Sequence, residues 1–260
     1  MRTVFSKYHG TGNDFILIDD REHAFDEKDE ARIARLCDRH FGIGADGLIL
    51  IRKEEGCDFR MVYVNADGKP SSMCGNGGRC AVKFAADHHI VRKKEVTFLA
   101  VDGMHEAVIG EKTIKLRMKD VHGIEDGGDF MFLDTGSPHY VKFSANVPGI
   151  DVYSEGKKIR NSDRFRKEGT NVNFIEKKDN VLLVRTYERG VENETLSCGT
   201  GATASALVAG VHGISTTPTR CDISTPGGNL SVHFHRSEMH FSDIWLEGPA
   251  EFVFKGETEL

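Results

Sequence analysis

Short runs in which apolar and polar residues alternate recur along the whole chain, and this period of two predicts β-strands. Turn signals such as Asp67-Gly68 and Asp102-Gly103 separate many of the runs, which favours antiparallel pairing between neighbours. The predicted strands cover residues 15–18, 48–51, 59–64, 95–100, 106–109, 113–118, 141–143, 172–175, 181–187, 229–234 and 251–254. We therefore expect a protein built mainly from sheet.

Three segments follow the helical period instead. Residues 29–39 place Ile33, Leu36 and Cys37 among charged residues, which predicts an amphipathic surface helix. Residues 78–88 and 202–211 are apolar on most sides, and a helix of that kind is buried. The simplest arrangement is a sheet curled around each buried helix.

Two segments 124 residues apart are nearly the same, which indicates a duplicated chain. One reads Ser-Met-Cys-Gly-Asn-Gly around Cys74, and the other reads Leu-Ser-Cys-Gly-Thr-Gly around Cys198. Aligning the two cysteines also places Gly75 on Gly199, Gly77 on Gly201, Ala85 on Ala209, His88 on His212 and Ile90 on Ile214. The same offset aligns residues 97–103 with 221–227, and residues 12–16 separately resemble residues 171–175.

We expect an α/β (α+β) fold of two pseudo-symmetric halves. Each half would be a mainly antiparallel curled sheet or barrel around a buried central helix, with the active site in the cleft between the halves. The N-terminal half is predicted over residues 1–118, joined by a C-terminal strand at 250–260, and the C-terminal half over residues 119–249. The boundary follows the strand that ends near Met118, at the glycine- and aspartate-rich residues 123–129.

Composition and charge restrict the class of protein. Of the 260 residues, 39% are hydrophobic and 28% are charged, as in ordinary soluble globular proteins. The formal net charge of -6 argues against nonspecific nucleic-acid binding. No apolar run approaches the ~20 residues that span a bilayer, and the N-terminus lacks the apolar region of a signal peptide. We therefore expect a cytoplasmic protein with no nucleic-acid or membrane partner and with reduced cysteines.

The surroundings of Cys74 and Cys198 distinguish them from the other four cysteines, which we interpret as structural. Each opens a Cys-Gly-x-Gly motif before a predicted buried helix, where glycine allows a tight turn and close approach of a ligand. The first N–H groups of a helix form an anion site, and the helix dipole favours a thiolate. A substrate carboxylate held by both helix starts would place its α-carbon between the two sulfurs. One thiolate would remove the α-proton while the opposite thiol donates a proton, without a metal or a pyridoxal cofactor.

Other interpretations of these motifs fit less well. One Cys-Gly-x-Gly alone is typical of a turn with a buried thiol, but two in register indicate function. A redox dithiol usually shows Cys-x-x-Cys, which is absent, and the spacing of Cys74 and Cys80 does not suit zinc. Residues 42–47 match the dinucleotide fingerprint G-x-G-x-x-G, but a predicted helix precedes them and a strand follows, the reverse of the required order. We therefore expect a structural turn there and no nicotinamide cofactor.

Six segments in the same order make the chain resemble the diaminopimelate epimerases, a family of pyridoxal-independent enzymes. The segments are Lys7-Tyr8-His9-Gly10-Thr11-Gly12-Asn13-Asp14-Phe15, residues 42–47, Asn65-Ala66-Asp67-Gly68 with Met73-Cys74-Gly75-Asn76-Gly77-Gly78-Arg79-Cys80, Gly136-Ser137-Pro138-His139, Thr170-Asn171-Val172-Asn173-Phe174, and Tyr187-Glu188-Arg189-Gly190 ahead of Cys198-Gly199-Thr200-Gly201. The resemblance implies a homodimer without a cofactor. It also implies epimerisation of LL-2,6-diaminopimelate to the meso form, in lysine and peptidoglycan precursor biosynthesis.

The resemblance implies roles for individual residues. Cys74 and Cys198 would be the two acid–base residues, and His139 and Glu188 would help a cysteine lose its proton. The residues implied to hold the reacting carboxylate are Gly75, Asn76, Gly199 and Thr200. Those implied to hold the amino groups and the distal carboxylate are Asn13, Asn65, Asn171, Glu188 and Arg189. Two positions depart from the family pattern, because Ser137 stands where many members carry Asn and Gly47 where many carry Gln.

Two kinds of alternative function remain open from the sequence. A proline or hydroxyproline racemase, or an isomerase that moves a double bond, could use the same scaffold. Arg189 argues against the cyclic imino acids, because its guanidinium suits a second carboxylate that they lack. A thiol-redox or ligand-binding protein without turnover would show no proton exchange at carbon.

Overall fold

The computed structural model describes residues 2–70 and 72–259, and contacts between Cα atoms divide the chain into two units. One unit comprises the chain up to Leu116 together with the segment from Gly248 onward, and the other comprises Arg117–Glu247. Each unit combines a sheet with one buried helix of 13 residues. The predicted α+β fold class is therefore the one observed.

The first unit contains two helices and one continuous row of strands. In chain order its elements are β1 (Thr3–Gly10), β2 (Asn13–Asp19), α1 (Glu30–Cys37), β3 (Gly47–Arg52), β4 (Phe59–Asn65), α2 (Gly75–Asp87), β5 (Glu95–Ala100), β6 (Gly103–Ile109), β7 (Ile114–Arg117) and β18 (Glu251–Thr258). The strands pair in the order β18-β1-β2-β3-β4-β5-β6-β7. The pairs β2/β3 and β4/β5 are parallel and the others are antiparallel.

The second unit repeats this arrangement with a longer row. Its elements are β8 (Val121–His122), β9 (Glu125–Asp126), β10 (Met131–Asp134), β11 (Pro138–Phe143), a 3-10 helix (Val147–Gly149), α3 (Val152–Arg160), β12 (Asn171–Lys178), β13 (Val181–Glu188), β14 (Asn193–Thr195), α4 (Gly199–Val211), β15 (Arg220–Thr225), β16 (Gly228–Ser237) and β17 (His240–Gly248). The row runs β9-β10-β11-β12-β13-β15-β16-β17-β8, and β14 adds to β13. Here β11/β12 and β13/β15 are the parallel pairs.

The duplication predicted from the two cysteine motifs is visible in the connectivity. The succession β1-β2-α1-β3-β4-α2-β5-β6 has the same order and the same two parallel crossings as β10-β11-α3-β12-β13-α4-β15-β16. Helices α2 and α4 begin 124 residues apart and have equal length. The resemblance of residues 12–16 to residues 171–175 is not structural, because the first segment opens β2, which corresponds to β11 and not to β12.

Strand alternation decides which side chains face each helix. In the second unit Val141, Ile175 and Val184 join the core beneath α4. Tyr140 and Val172 point to the opposite face of β11 and β12 and belong to a second core, which includes Val152 of α3. Three polar residues share the strand face that packs against α4, namely His139, Asn173 and Thr186. His139 and Asn173 lie two positions before Val141 and Ile175, and Thr186 lies two positions after Val184.

The structure adds to the predicted elements and corrects some of them. Neither sheet is closed into a barrel over the described residues, because the terminal strands of each row do not pair with each other. The predicted strands did not include β1, β8, β9, β10, β14, β15 or β17, and helix α3 was not predicted. Helices α2 and α4 begin three residues earlier than expected. Within the described part of the chain, no helix is both long and apolar enough to cross a membrane.

Candidate active site

Cys74 and Cys198 occupy the same position in their units, immediately before the first turn of a buried helix. Both have extended main chains, with φ −113° and ψ 121° at Cys74 and φ −117° and ψ 113° at Cys198. Their carbonyls accept the first helical hydrogen bonds, from Gly78 N and Ala202 N, at 2.8 Å each. Neither thiol caps its helix, so neither occupies the first-turn N–H groups, where helices bind anions.

The glycines of the two motifs lie inside the first helical turn, not in a loop before it as predicted. These glycines allow the helix to lie close to the sheet, and a tight turn is not what requires them. A Cβ on Gly201 would lie 2.4 Å from Asn173 Oδ1 and 3.3 Å from Cys198 Sγ. A Cβ on Gly77 would meet Ile49 Cδ1 at 3.2 Å and Met61 Cε at 3.3 Å. A side chain here would push the helix away from the sheet.

In the first unit three predicted site residues come together. The Cys74 thiol lies 3.5 Å from Oδ1 of Asn13, and Asn76 Nδ2 donates to the same oxygen at 3.3 Å. Asn13 begins β2 after a tight turn in which Thr11 and Gly12 both have positive φ, 50° and 86°. The short hairpin therefore carries a polar side chain to the start of α2.

A network of charged side chains fixes the position of the Asn13 side chain. Asn13 Nδ2 donates to Asp46 at 2.6 Å, and Arg39 bridges Asp46 and Asp14, each at 2.7 Å. Burial alone would raise the pKa of Asp14, but hydrogen bonds from Arg39 and Lys7 outweigh it and lower the pKa to about 2. Asp14 is therefore ionised at neutral pH, and the network stays assembled.

Arg79 is a further residue of this cluster, to which the sequence assigned no role. It is fully buried and donates to Asn76 Oδ1 at 3.0 Å, Thr11 Oγ1 at 3.2 Å and Pro249 O at 3.2 Å. No carboxylate of the described residues pairs with it. Burial lowers its pKa, while the thiols of Cys80 and Cys74 act in the opposite direction. Arg79 thus orients Asn76 and adds a buried positive charge beneath Cys74.

Asn65 and Gly47 lie opposite each other at the ends of β4 and β3. Asn65 closes a turn through its main chain, since its carbonyl accepts from Gly68 N at 2.9 Å. A Cβ on Gly47 would lie 2.5 Å from Cε2 of Tyr63. The ring of Tyr63 therefore fills the space that a longer residue at position 47 would need, which accounts for this departure from the family pattern.

In the second unit the helix start is tied to the loop after β10. Cys198 is 8% exposed, and its sulfur lies 3.5 Å from Thr200 Oγ1. The carbonyl of Thr200 accepts from Thr135 Oγ1 at 2.9 Å. The first turn of α4 is therefore fixed against the segment that leads into β11.

The ends of β11, β12 and β13 bring the remaining predicted residues into one cluster. Asn171 donates to Ser137 Oγ at 2.9 Å and accepts from the Arg189 main-chain N at 2.8 Å. The exposed Arg189 guanidinium lies 3.3 Å from Ser137 Oγ and 3.0 Å from Glu168 O. Glu188 accepts from Thr195 Oγ1 at 2.8 Å. Ser137 thus takes the place of the usual Asn by joining the asparagine and the arginine. A cavity of about 480 Å³ adjoins Arg189.

His139 lies within this cluster but is fully buried. Burial, with the positive charge of Arg189 acting in the same direction, lowers its pKa to about 3, so the imidazole is neutral at pH 7. Its Nδ1 lies 3.1 Å from Asn173 Nδ2. The sequence motif assigns no role to Asn173. Two asparagines two positions apart on a buried strand nevertheless indicate a polar site on that strand face.

The other four cysteines differ from these two. Burial raises the pKa of Cys37 to about 12 and that of Cys221 to about 11, and it also raises the pKa of Cys80. Cys57 is half-buried, and its sulfur lies 3.2 Å from Phe59 O. In the described part of the chain, no group of three or more His, Cys, Asp or Glu side chains could hold a metal ion.

Comparison with known proteins adds a family to this geometry. The family model described as diaminopimelate epimerase matches residues 5–121 and 131–253. A diaminopimelate epimerase of Flavobacterium psychrophilum is 50% identical over 251 residues, covering 96% of this chain and 97% of the relative. The chain belongs to the diaminopimelate epimerase family. It is accordingly an enzyme of the isomerase class.

Solved structures of low sequence identity have the same fold as this diaminopimelate epimerase family member. A phenazine biosynthesis protein of the PhzF family from Bacillus anthracis matches with a TM-score of 0.78 at 14% identity, covering 100% of both chains. A probable proline racemase from Agrobacterium radiobacter K84 matches with a TM-score of 0.69 at 13% identity, covering 99% of this chain and 93% of the other. These similarities bear on the fold alone, and they agree with the predicted fold class.

Proposed function

We propose that the protein interconverts LL- and meso-2,6-diaminopimelate by cofactor-independent proton transfer at the α-carbon, in lysine and peptidoglycan precursor biosynthesis. The observation that carries the proposal is the pair of matching helix starts, each immediately preceded by a cysteine, in a chain of this family. The two units would be the two predicted domains, and each contributes one of the two cysteines.

In this reaction one cysteine is a thiolate and the other a thiol. The thiolate takes the α-proton and becomes a thiol, and the electron pair left on carbon is delocalised into the carboxylate. The second cysteine then donates its proton to the opposite face of the carbon and becomes a thiolate, so configuration inverts. The first-turn N–H groups at Gly75, Asn76, Gly199 and Thr200 stabilise the charge that grows on the carboxylate.

The polar strand ends suit the distal part of the substrate. Arg189 presents an exposed guanidinium held by Ser137 and Glu168, which is the natural partner of a second carboxylate. Asn13, Asn65, Asn171 and Glu188 are proposed to bind the amino groups, and Glu188 and His139 to assist the cysteines. Proline lacks both distal groups, so this cluster favours diaminopimelate over a cyclic imino acid.

The assembly and location are also proposals. We infer a homodimer in the cytoplasm that acts on a small molecule without a nucleic-acid or membrane partner. The support is the resemblance to the family and, for nucleic acid, the acidic net charge of -6.

Proton NMR in deuterated water tests the function. Reduced protein is mixed with LL-diaminopimelate, and with L-proline in a parallel sample. We expect the α-proton signal of diaminopimelate to vanish as the meso isomer appears, and proline to stay unchanged. Cys74→Ser and Cys198→Ser should each slow epimerisation by roughly a thousandfold, whereas Cys57→Ser should behave like the unmodified protein. Exchange with proline alone would mean that the substrate is a cyclic imino acid and not diaminopimelate. Exchange with neither compound would refute the proposal.

A further inference from the structure

We propose that Asn173 is a positioning residue that holds His139 in the tautomer whose proton is on Nε2. His139 then serves as a hydrogen-bond donor and not as a proton acceptor at that nitrogen. The tautomer follows from contacts inside the second unit. Its catalytic consequence rests on the proposed function.

The orientation of the Asn173 amide is fixed by a group that can only accept. Asn173 Nδ2 lies 3.0 Å from the main-chain carbonyl oxygen of Tyr140. A carbonyl oxygen has no proton, so the amide atom facing it has to be the nitrogen. On the other side Asn173 Oδ1 accepts from Thr186 Oγ1 at 2.9 Å, which agrees with this orientation.

The same amide nitrogen decides the tautomer of His139. Its two protons serve two acceptors, Tyr140 O at 3.0 Å and His139 Nδ1 at 3.1 Å. An Nδ1 that accepts a hydrogen bond carries no proton, so in the neutral ring the proton is on Nε2. His139, Asn173 and Thr186 are each at most 3% exposed, and no solvent competes for these bonds.

The Nε2 atom is the one polar atom of this triad without a partner. It is buried and has no hydrogen-bond partner among the described residues. A buried N–H without an acceptor costs about 1–3 kcal/mol, so such a group is kept where an acceptor arrives during function. The acceptor that suits it is anionic, either a thiolate or a carboxylate oxygen. Neutral His139 can stabilise that anion but cannot take a proton at Nε2, which is already protonated.

Nitrogen NMR tests the tautomer without any activity measurement. Protein labelled with ¹⁵N-histidine is studied at pH 7, and the His139 signals are identified by their loss in His139→Asn. We expect two-bond proton–nitrogen correlations of the tautomer protonated at Nε2. An Nδ1-protonated ring or an imidazolium in the unmodified protein would overturn the proposal.

Two variants separate positioning from mere packing. Asn173→Asp replaces the hydrogen-bond donor that faces His139 Nδ1 by an acceptor, so the ring proton should move to Nδ1. The kcat should then fall about tenfold to a hundredfold, as for one lost hydrogen bond to a charged group, while KM changes less than about threefold. Thr186→Val removes a neighbouring bond but leaves the amide facing Tyr140 O, so tautomer and kcat should be kept. An unchanged tautomer in Asn173→Asp, with circular dichroism like the unmodified protein, would contradict the assignment. An unmodified protein with the expected tautomer but no activity on diaminopimelate would defeat the proposed function and leave the tautomer standing.

Discussion

The buried neutral His139 predicts a specific dependence of stability on pH. Burial lowers its pKa in the folded protein to about 3, whereas an unfolded chain has a histidine pKa near the ordinary value of about 6.5. Between these values the unfolded state binds a proton that the native state does not, so stability rises with pH across this window and levels off above it. From pH 7.5 to pH 5.0 this one side chain should therefore cost about 2 kcal/mol of stability. The magnitude depends mainly on the unfolded pKa, because the folded pKa lies well below pH 5.

Urea unfolding at pH 7.5 and 5.0, for the unmodified protein and His139→Asn, measures this term. The chain has one tryptophan, Trp245, and it lies in the same unit as His139, so its fluorescence reports the relevant transition. Other titrating groups contribute equally to both proteins, so the variant should lose about 2 kcal/mol less between the two pH values. The exposed His235→Asn should behave like the unmodified protein. Equal losses in the unmodified protein and His139→Asn would mean that His139 is protonated in the native state, and the buried-neutral account would be wrong.

Three other substitutions test the cluster and the helix starts. Arg189→Gln should lower kcat/KM for diaminopimelate by about a hundredfold, mainly through KM, because a charge-assisted contact to the distal carboxylate is lost; an unchanged KM would contradict this role. Ser137→Ala removes the oxygen shared by Asn171 and Arg189 and should raise KM by about threefold to tenfold in steady-state assays, with little change in kcat. Gly201→Ala should lower the unfolding temperature and abolish most activity, because its Cβ would clash with the hydrogen-bonded amide of Asn173. The matched Gly77→Ala should be milder, because the tightest contacts of its Cβ are the side-chain ends of Ile49 and Met61, and equal effects on thermal unfolding would argue against the close approach at Gly201.

Local signals were enough to predict the repeated helix starts. The Cys-Gly-x-Gly motif, the apolar stretch after it and the aligned histidines and isoleucines all lie within about four turns of one helix. The structure reproduces even the ends, since Ile90 N and Ile214 N bond back to Ala85 O and Ala209 O in the two units. Short-range hydrogen bonds of this kind depend on sequence neighbours, which is why an alignment could find them.

The missed elements depend on partners that are distant along the chain. Helix α3 carries Gly156 in its middle and few apolar residues, so its pattern is weak. The glycine is needed because a Cβ there would lie 2.3 Å from Tyr187 Cβ, on a strand reached much later in the chain. Strand β1 contains the buried Lys7, which breaks the apolar alternation and is stabilised by Asp14 at 2.7 Å. The four parallel pairs likewise arise from helical crossovers, whereas the turn signals predicted only hairpins.

The two helix starts have the same backbone conformation but pack against different side chains, and the two candidate cysteine sites differ in this respect. Beneath Gly77 the nearest side chains are the apolar Ile49 and Met61, and the polar group at Cys74 comes from the side, through Asn13. Beneath Gly201 the nearest atom is the Asn173 amide oxygen, and this same amide orients His139. Duplication thus kept the cysteine and the first helical turn in both units and let the strand next to them diverge. In the proposed reaction each thiol acts on one face of the carbon, and the divergence of β3 and β12 gives the two helix starts different surroundings.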